Sequence, residues 1–282
     1  MFRKSIYKTP AQLRAMVEPG LITAAALDAV APLVRAGVTT AELDAAADRL
    51  IADRGAESNF KLVRGYRHTT CISVNEQVVH GIPGDLVLQP GDIVSVDCGA
   101  QYQGWNGDSA RTFVVPDRDR PEVVARREEL SQVTEGSMWA GIAALATAEH
   151  INDVSTAIEH HILAQGDSAV SGRPYGILRE YVGHGIGRKM HEAPSVFNYQ
   201  VPDAGPEVRS GLVLAIEPMV TAGGEATFVE DDDWTVTTVD GTDGAHWEHS
   251  IAVHADGIWV LTAVDGGAAG LAPFGVVPVP IP

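Results

Sequence analysis

Apolar and polar positions change period several times along the chain, and each change predicts an element. Thr9, Pro10 and Gln12 make a capping box with proline in the first helical position, where its missing N–H costs nothing. A helical pattern runs from there to about residue 37. Thr39 and Glu42 repeat the box, and Leu43, Ala46, Ala47, Leu50 and Ile51 then recur at helical spacing up to Gly55. The β-branched content rises over 70–79. After a Gly-Ile-Pro-Gly turn at 81–84, Pro90 and Gly91 open a sharply started strand that reaches Asp97, and a second strand over 108–115 is expected to pair with it. Pro121 starts a helical stretch that continues, with breaks, to Gly166. Beyond Gly172 and Pro174, strand-like segments alternate up to Val264. The last stretch, 266–282, is rich in glycine and proline, carries no charge and reads as a loosely attached tail. No linker interrupts the rest, so the expected organisation is one domain over 1–265 and a tail over 266–282.

Two strand starts echo each other. Gly91 is followed six residues later by Asp97 across Ile93, Val94 and Val96, and Gly211 is followed six residues later by Glu217 across Leu212 to Ile216. Two similar halves could each present an acid to a shared centre.

Composition limits the partners. With 45% hydrophobic and 20% charged residues over 282 positions, the chain can bury a core and is not disordered. There are 37 acidic against 20 basic residues, a net charge of -17, and a field of that sign repels nucleic acid and anionic membranes. Cys71 and Cys98 form no spaced disulfide framework, so a reducing cytoplasm is expected. Residues 1–10 run from charges into a helix start rather than into an export signal. The apolar stretch 138–148 is shorter than the roughly 18–20 residues a crossing needs, so no membrane span is expected.

The informative polar residues lie where polar residues are costly. Asp97, Asp108, Glu217 and Glu248 sit in or beside apolar β-type runs, and a buried carboxylate must be paired or bound to metal. Lysines and arginines are few, so divalent cations are the natural counter-charge; carboxylate oxygens with one imidazole suit cobalt, manganese, iron or zinc. His184, flanked by Gly183 and Gly185, is the candidate imidazole, because glycines let a metal or substrate approach closely. His80 and His191 stand in similar glycine- or proline-rich settings. Cys98 reads as a small apolar filler. The acids at 230–233 read as a solvated turn rather than a calcium loop, whose alternating ligands are missing.

Taken together these residues are specific. Asp97, Asp108 eleven residues on, His184, Glu217 thirty-three further and Glu248 thirty-one further, in Val-Asp-Cys-Gly, Asn-Gly-Asp-Ser, Gly-His-Gly-Ile-Gly, Ile-Glu-Pro-Met and Trp-Glu-His-Ser contexts, resemble the five metal ligands of the methionine aminopeptidase family. The resemblance runs from Lys8 to about Leu261, and the short His184–Glu217 spacing is similar to that of the bacterial type I form. It implies an α/β (α+β) "pita-bread" fold, a pseudo-twofold antiparallel sheet with outer helices. It also implies two divalent metal ions per chain, with Asp97 on one, His184 and Glu217 on the other, and Asp108 and Glu248 bridging. By the same resemblance Glu217 shuttles a proton, His191 stabilises the oxyanion and His80 meets the substrate nitrogen. Tyr66, Cys71, His80, Met190, His191 and Trp234 would line the substrate pocket. Met190 stands where phenylalanine is common and Val63 where tyrosine is common. The implied activity is removal of the initiator methionine before a small second residue, by a cytoplasmic monomer acting on peptides and nascent chains in transient contact with the ribosome. Two alternatives remain at this level: an X-Pro aminopeptidase or prolidase on the same ligands, and a non-catalytic binding module.

Overall fold

The computed structural model describes residues 5–282. Residues 1–4, on which the export reading partly rests, lie outside the described residues. Helix α1 (Pro10–Ala15) begins under the expected box, with Gln12 N–H donating to Thr9 Oγ1 and Thr9 N–H to Gln12 Oε1. It continues as α2 (Val17–Val30) and a 3-10 turn (Ala31–Leu33) that contains Pro32, so the first helix stops short of 37. Helix α3 (Thr40–Asp53) carries the second box, from Thr39 to Glu42, and ends before Gly55 at φ 68°. Helices α4 (Pro121–Ala144) and α5 (Ile151–Leu163) resolve the long pattern that Pro121 opens. Among the described residues the helical run Pro10–Leu33, not 138–148, is the one long and apolar enough to cross a membrane. Half of it is buried in the protein, with Leu13, Met16, Ile22, Leu27 and Val30 in the core.

The strands that matter for the site are β1 (Thr70–Val74), β2 (Ile93–Tyr102), β3 (Trp105–Val114), β4 (Gly183–Gly185), β5 (Glu192–Val196), β6 (Val213–Ile216), β7 (Met219–Thr221), β8 (Gly244–His246), β9 (His249–His254) and β10 (Gly257–Val260). The strand expected over 70–79 breaks at Asn75, whose φ is 58°, and resumes over Gln77–Val79. All pairings are antiparallel. β2 lies between β1 and β3, and a five-stranded sheet runs β10-β9-β6-β4-β5. As expected for the fold, the β structure is antiparallel, and among the described residues its strands divide into four sheets, of four, three, three and five strands. They are stitched at a seam where Ala110 and Glu248 exchange backbone hydrogen bonds of 3.2 and 3.0 Å.

The echo between the two strand starts is structural. Gly91 (φ 89°) and Gly211 (φ 98°) are both left-handed, and each lies two residues before its strand, β2 or β6. A Cβ on Gly211 would collide with the Lys8 backbone carbonyl. Each half has its own core. Val94, Val96 and Cys98 of β2 pack with Ile22, Leu27, Leu43 and Ile51, whereas Leu214 and Ile216 of β6 pack with Met138, Ile142, Val154 and Ile158.

Arg127 on α4 clamps the start of β2. Its guanidinium donates to Gly91 O at 2.7 Å and to both Asp243 oxygens at 2.9 and 2.7 Å, with 15% of the side chain exposed. A forked, half-buried pair leaves Asp243 uncompensated when broken. Arg127→Met is therefore expected to lower stability by about 2–3 kcal/mol in urea unfolding. A loss under about 0.5 kcal/mol would contradict this reading of the clamp.

The tail is not loose. Leu271 is fully buried, Val279 N–H donates to Ile258 O at 2.9 Å, His254 Nε2 lies 2.7 Å from Val279 O, and Arg14 Nη1 donates to Pro282 O at 2.7 Å. Ile281 packs against the cluster of Leu13 and Met16. An uncharged glycine–proline stretch has no period to reveal such a strap, because its attachment uses backbone groups.

Candidate metal centre and adjoining pocket

The pairing register delivers the acids to one cleft. Gly99 of β2 faces Asp108 of β3, so Asp97, two positions along β2, projects from the same face as a diagonal neighbour. His184 in β4 pairs with Ala215 of β6, and Glu217 follows that strand's end. Glu248 immediately precedes β9 and is held across the seam by Ala110. Asp97, Asp108, His184, Glu217 and Glu248 all line a single cleft, together with His80 and His191.

The space holds no compensating cation from the chain. Among the described residues, neither lysine nor arginine lines it. Asp97 Oδ1, Asp108 Oδ1 and Glu248 Oε1 are buried without a hydrogen-bond partner. Burial pushes the Asp97 carboxyl up to about 7, with His246 opposing and Glu217 adding, and burial pushes Glu217 up to about 8. Asp108 and Glu248 rise well above the usual range, first through burial and then through the neighbouring carboxylates.

His184 is set up as a ligand. Its Nδ1 is 3.0 Å from Gly185 O, a carbonyl that only accepts, which places the ring proton on Nδ1 and leaves Nε2 bare. Burial, helped by His191, lowers its pKa to about 3. The bare Nε2 faces Glu217 Oε1 at 3.3 Å, two electron-pair donors that only a shared proton or cation can hold together. Donor atoms of Asp108, His184 and Glu248 lie within 4.8 Å of one another, and so do those of Glu217, His246 and Glu248. Glu248 belongs to both groups, as a bridging ligand would. Asp97 belongs to neither group, although it lines the same cleft. Orphaned hard oxygens around a bare imidazole fit divalent cations.

The sequence profile of metallopeptidase family M24 matches residues 14–255. The chain belongs to this family. Methionine aminopeptidase 1 of Bacillus subtilis is 41% identical over 259 residues, covering 92% of this chain and 99% of that protein. Methionine aminopeptidase 1 of Mycobacterium tuberculosis is 44% identical, over 90% of this chain and 94% of its own length. A crystal structure of the Thermotoga maritima methionine aminopeptidase superposes with a TM-score of 0.83 at 38% identity, covering 93% of this chain and 99% of that one. Prolidase from Pyrococcus furiosus, at 20% identity and a TM-score of 0.69, shares the fold; this chain spans 66% of its length.

In this M24 chain the apolar pocket shares a wall with the acid cluster. Phe60, Tyr66 and Cys71 form a buried group against which Val63, Ile82, Met190 and Trp234 pack. The Tyr66 and Trp234 rings are 4.9 Å apart, and Tyr66 OH donates to Thr70 O at 2.7 Å, so its hydroxyl asks nothing of a ligand. The acids at 230–233 form a turn, as expected, and Asp232 accepts the backbone N–H groups of Trp234 and Thr235, both at 2.8 Å, which seats Trp234. His191 stacks edge-on to His184 at 4.4 Å, and His80, at φ 61°, lies edge-on to Tyr181 at 5.4 Å.

One lining residue, Phe60, and one residue grouped with the acids, His246, are absent from the sequence-based set. Phe60 sits in a 3-10 turn (Phe60–Leu62) that has no readable period. His246 had a signal: it lies two positions before Glu248, and in extended chain i and i+2 share a face.

Proposed function

We propose that this chain hydrolyses the first peptide bond of peptides that begin with methionine and carry a small second residue. One observation carries the reading: a pocket lined by aromatic rings, Cys71 and Met190 opens directly beside a cluster of uncompensated carboxylates. An unbranched thioether suits such walls, with about 0.3–1.5 kcal/mol from each good sulfur–aromatic contact. The methionine aminopeptidase names of the full-length relatives support it.

Asp97, Asp108, His184, Glu217 and Glu248 would hold two divalent ions, cobalt, manganese, iron or zinc. When bound, such ions polarise the scissile carbonyl and lower the pKa of a shared water towards neutrality. The chain's own groups do the rest. Glu217, which lines the cleft beside His184, takes a proton from the attacking water and returns it to the leaving amine. Burial lowers the pKa of His191, and burial with His246 and His191 takes His80 down to about 4. Both rings are therefore neutral near pH 7 and offer one N–H each, His191 to the developing oxyanion and His80 to the substrate nitrogen. Residues 1–265 form the catalytic domain in this reading, and the working form is a cytoplasmic monomer meeting nascent chains at the ribosome.

The test is hydrolysis of Met-Ala-Ser beside an X-Pro peptide, with manganese, cobalt, iron or zinc added in turn. Methionine release is expected. Cleavage of X-Pro with Met-Ala-Ser untouched would overturn the substrate assignment. His80→Ala and His191→Ala are each expected to lower kcat about 10²–10³-fold while the bound metal, by elemental analysis, stays at the unsubstituted level. Loss of metal from either variant would refute these roles.

A further inference from the structure

We propose that His246 is itself a metal ligand, a second imidazole donor on the cation held by Glu217 and Glu248; the proposal rests on the metallopeptidase reading above. The His246 side chain is 3% exposed, and its Nε2 is buried with no hydrogen-bond partner. Its nearest acid oxygen, Glu217 Oε2, is 3.6 Å away, too far for a hydrogen bond. Glu217 thus presents one oxygen to the Nε2 of His184 at 3.3 Å and the other to the Nε2 of His246 at 3.6 Å. The two imidazoles flank the same carboxylate, each with a nitrogen left over.

The backbone of His246 is seated firmly. Its N–H lies 3.2 Å from Ser95 Oγ and 3.1 Å from Thr112 Oγ1, while its carbonyl accepts from the Thr112 hydroxyl at 2.7 Å. β8 pairs with β7, setting His246 opposite Met219. Both halves of the molecule therefore fix the backbone from which the ring projects. Donor atoms of Glu217, His246 and Glu248 lie within 4.8 Å of one another, a spacing a single cation can draw together. A ring nitrogen left unpaired in a buried acidic cluster is satisfied by a metal, which asks for its lone pair. A second imidazole makes the centre less purely oxygen-donating, which favours zinc, iron or cobalt relative to manganese.

Pulsed EPR of the manganese-loaded protein, with the histidines isotopically labelled, counts the nitrogens bound to metal and needs no substitution. Two coupled nitrogens are expected, one removed by His184→Gln and the other by His246→Gln. Calorimetric titration of His246→Gln with manganese or zinc should show at least the roughly 10- to 100-fold weakening that loss of an outer partner costs. Thermal unfolding of the metal-free variant confirms that it is folded. A single coupled nitrogen in the unsubstituted protein, or His246→Gln with unchanged coupling and affinity, overturns the proposal and reduces His246 to a neighbour of Glu217. Methionine release by a one-nitrogen centre would sink this proposal alone. Failure to bind any divalent metal would sink it together with the metallopeptidase reading.

Discussion

Glu217→Gln is expected to lower kcat on Met-Ala-Ser about 10²–10⁴-fold, the range that a positioned proton carrier supplies, even with metal in excess. The amide keeps the size of the side chain and one oxygen able to coordinate, but it can neither take up a proton nor hold a negative charge. Without metal, burial raises this carboxyl to about 8, and a bound cation opposes that rise. The two roles assigned to Glu217 separate experimentally. If it only held metal, raising the metal concentration would restore the rate. If it also moves the proton, the rate stays low once elemental analysis shows full loading, and the acidic limb of the pH–rate profile changes. A kcat within tenfold of the unsubstituted enzyme at full loading would remove Glu217 from the proton path.

The gathering of these acids was legible from sequence wherever a residue type contradicted its surroundings. Asp97 after Ile93 to Val96, and Glu217 after Leu212 to Ile216, are acids at the ends of runs that can only be core strands, and the structure brings both to one cleft. The glycine echo was readable for the same reason: a left-handed start is needed where each strand enters its half. His246 was harder to see because a histidine beside a tryptophan in a strand reads equally well as core, and only its shared face with Glu248 distinguishes it. The tail 266–282 was misread because its contacts run through backbone groups and the scattered side chains of Leu271 and Ile281, not through a periodic face. Division of the β structure into four sheets was likewise invisible, since strand runs do not reveal which edges stay unpaired.

Without divalent metal, the protein is expected to become less stable as pH rises from about 6.5 to about 8. Two sets of buried groups set the sign. The histidines lowered by burial, His80 to about 4 and His184 and His249 to about 3, bind fewer protons folded than unfolded, so they favour the folded state increasingly as pH rises to the ordinary histidine value of about 6.5. The carboxyls act the other way. Asp97 at about 7, Glu217 at about 8, and Asp108 and Glu248 raised well above the usual carboxyl range, hold protons that the unfolded chain has already released, and folding strength is lost as pH climbs through the folded values. Below about 6.5 the two sets oppose each other; above it only the carboxyls remain. If the cluster retains about two protons there, the slope is on the order of 3 kcal/mol per pH unit, shared among coupled groups. Bound divalent ions replace those protons, so saturating manganese should flatten the curve and add roughly 3 kcal/mol at a hundredfold excess over Kd. Urea unfolding at pH 6.5, 7.2 and 8.0, with chelator and with metal, measures both. A chelated protein whose stability holds level or rises across that interval would mean that the four carboxylates are compensated by something within the chain, and the case for a metal centre would fail with it.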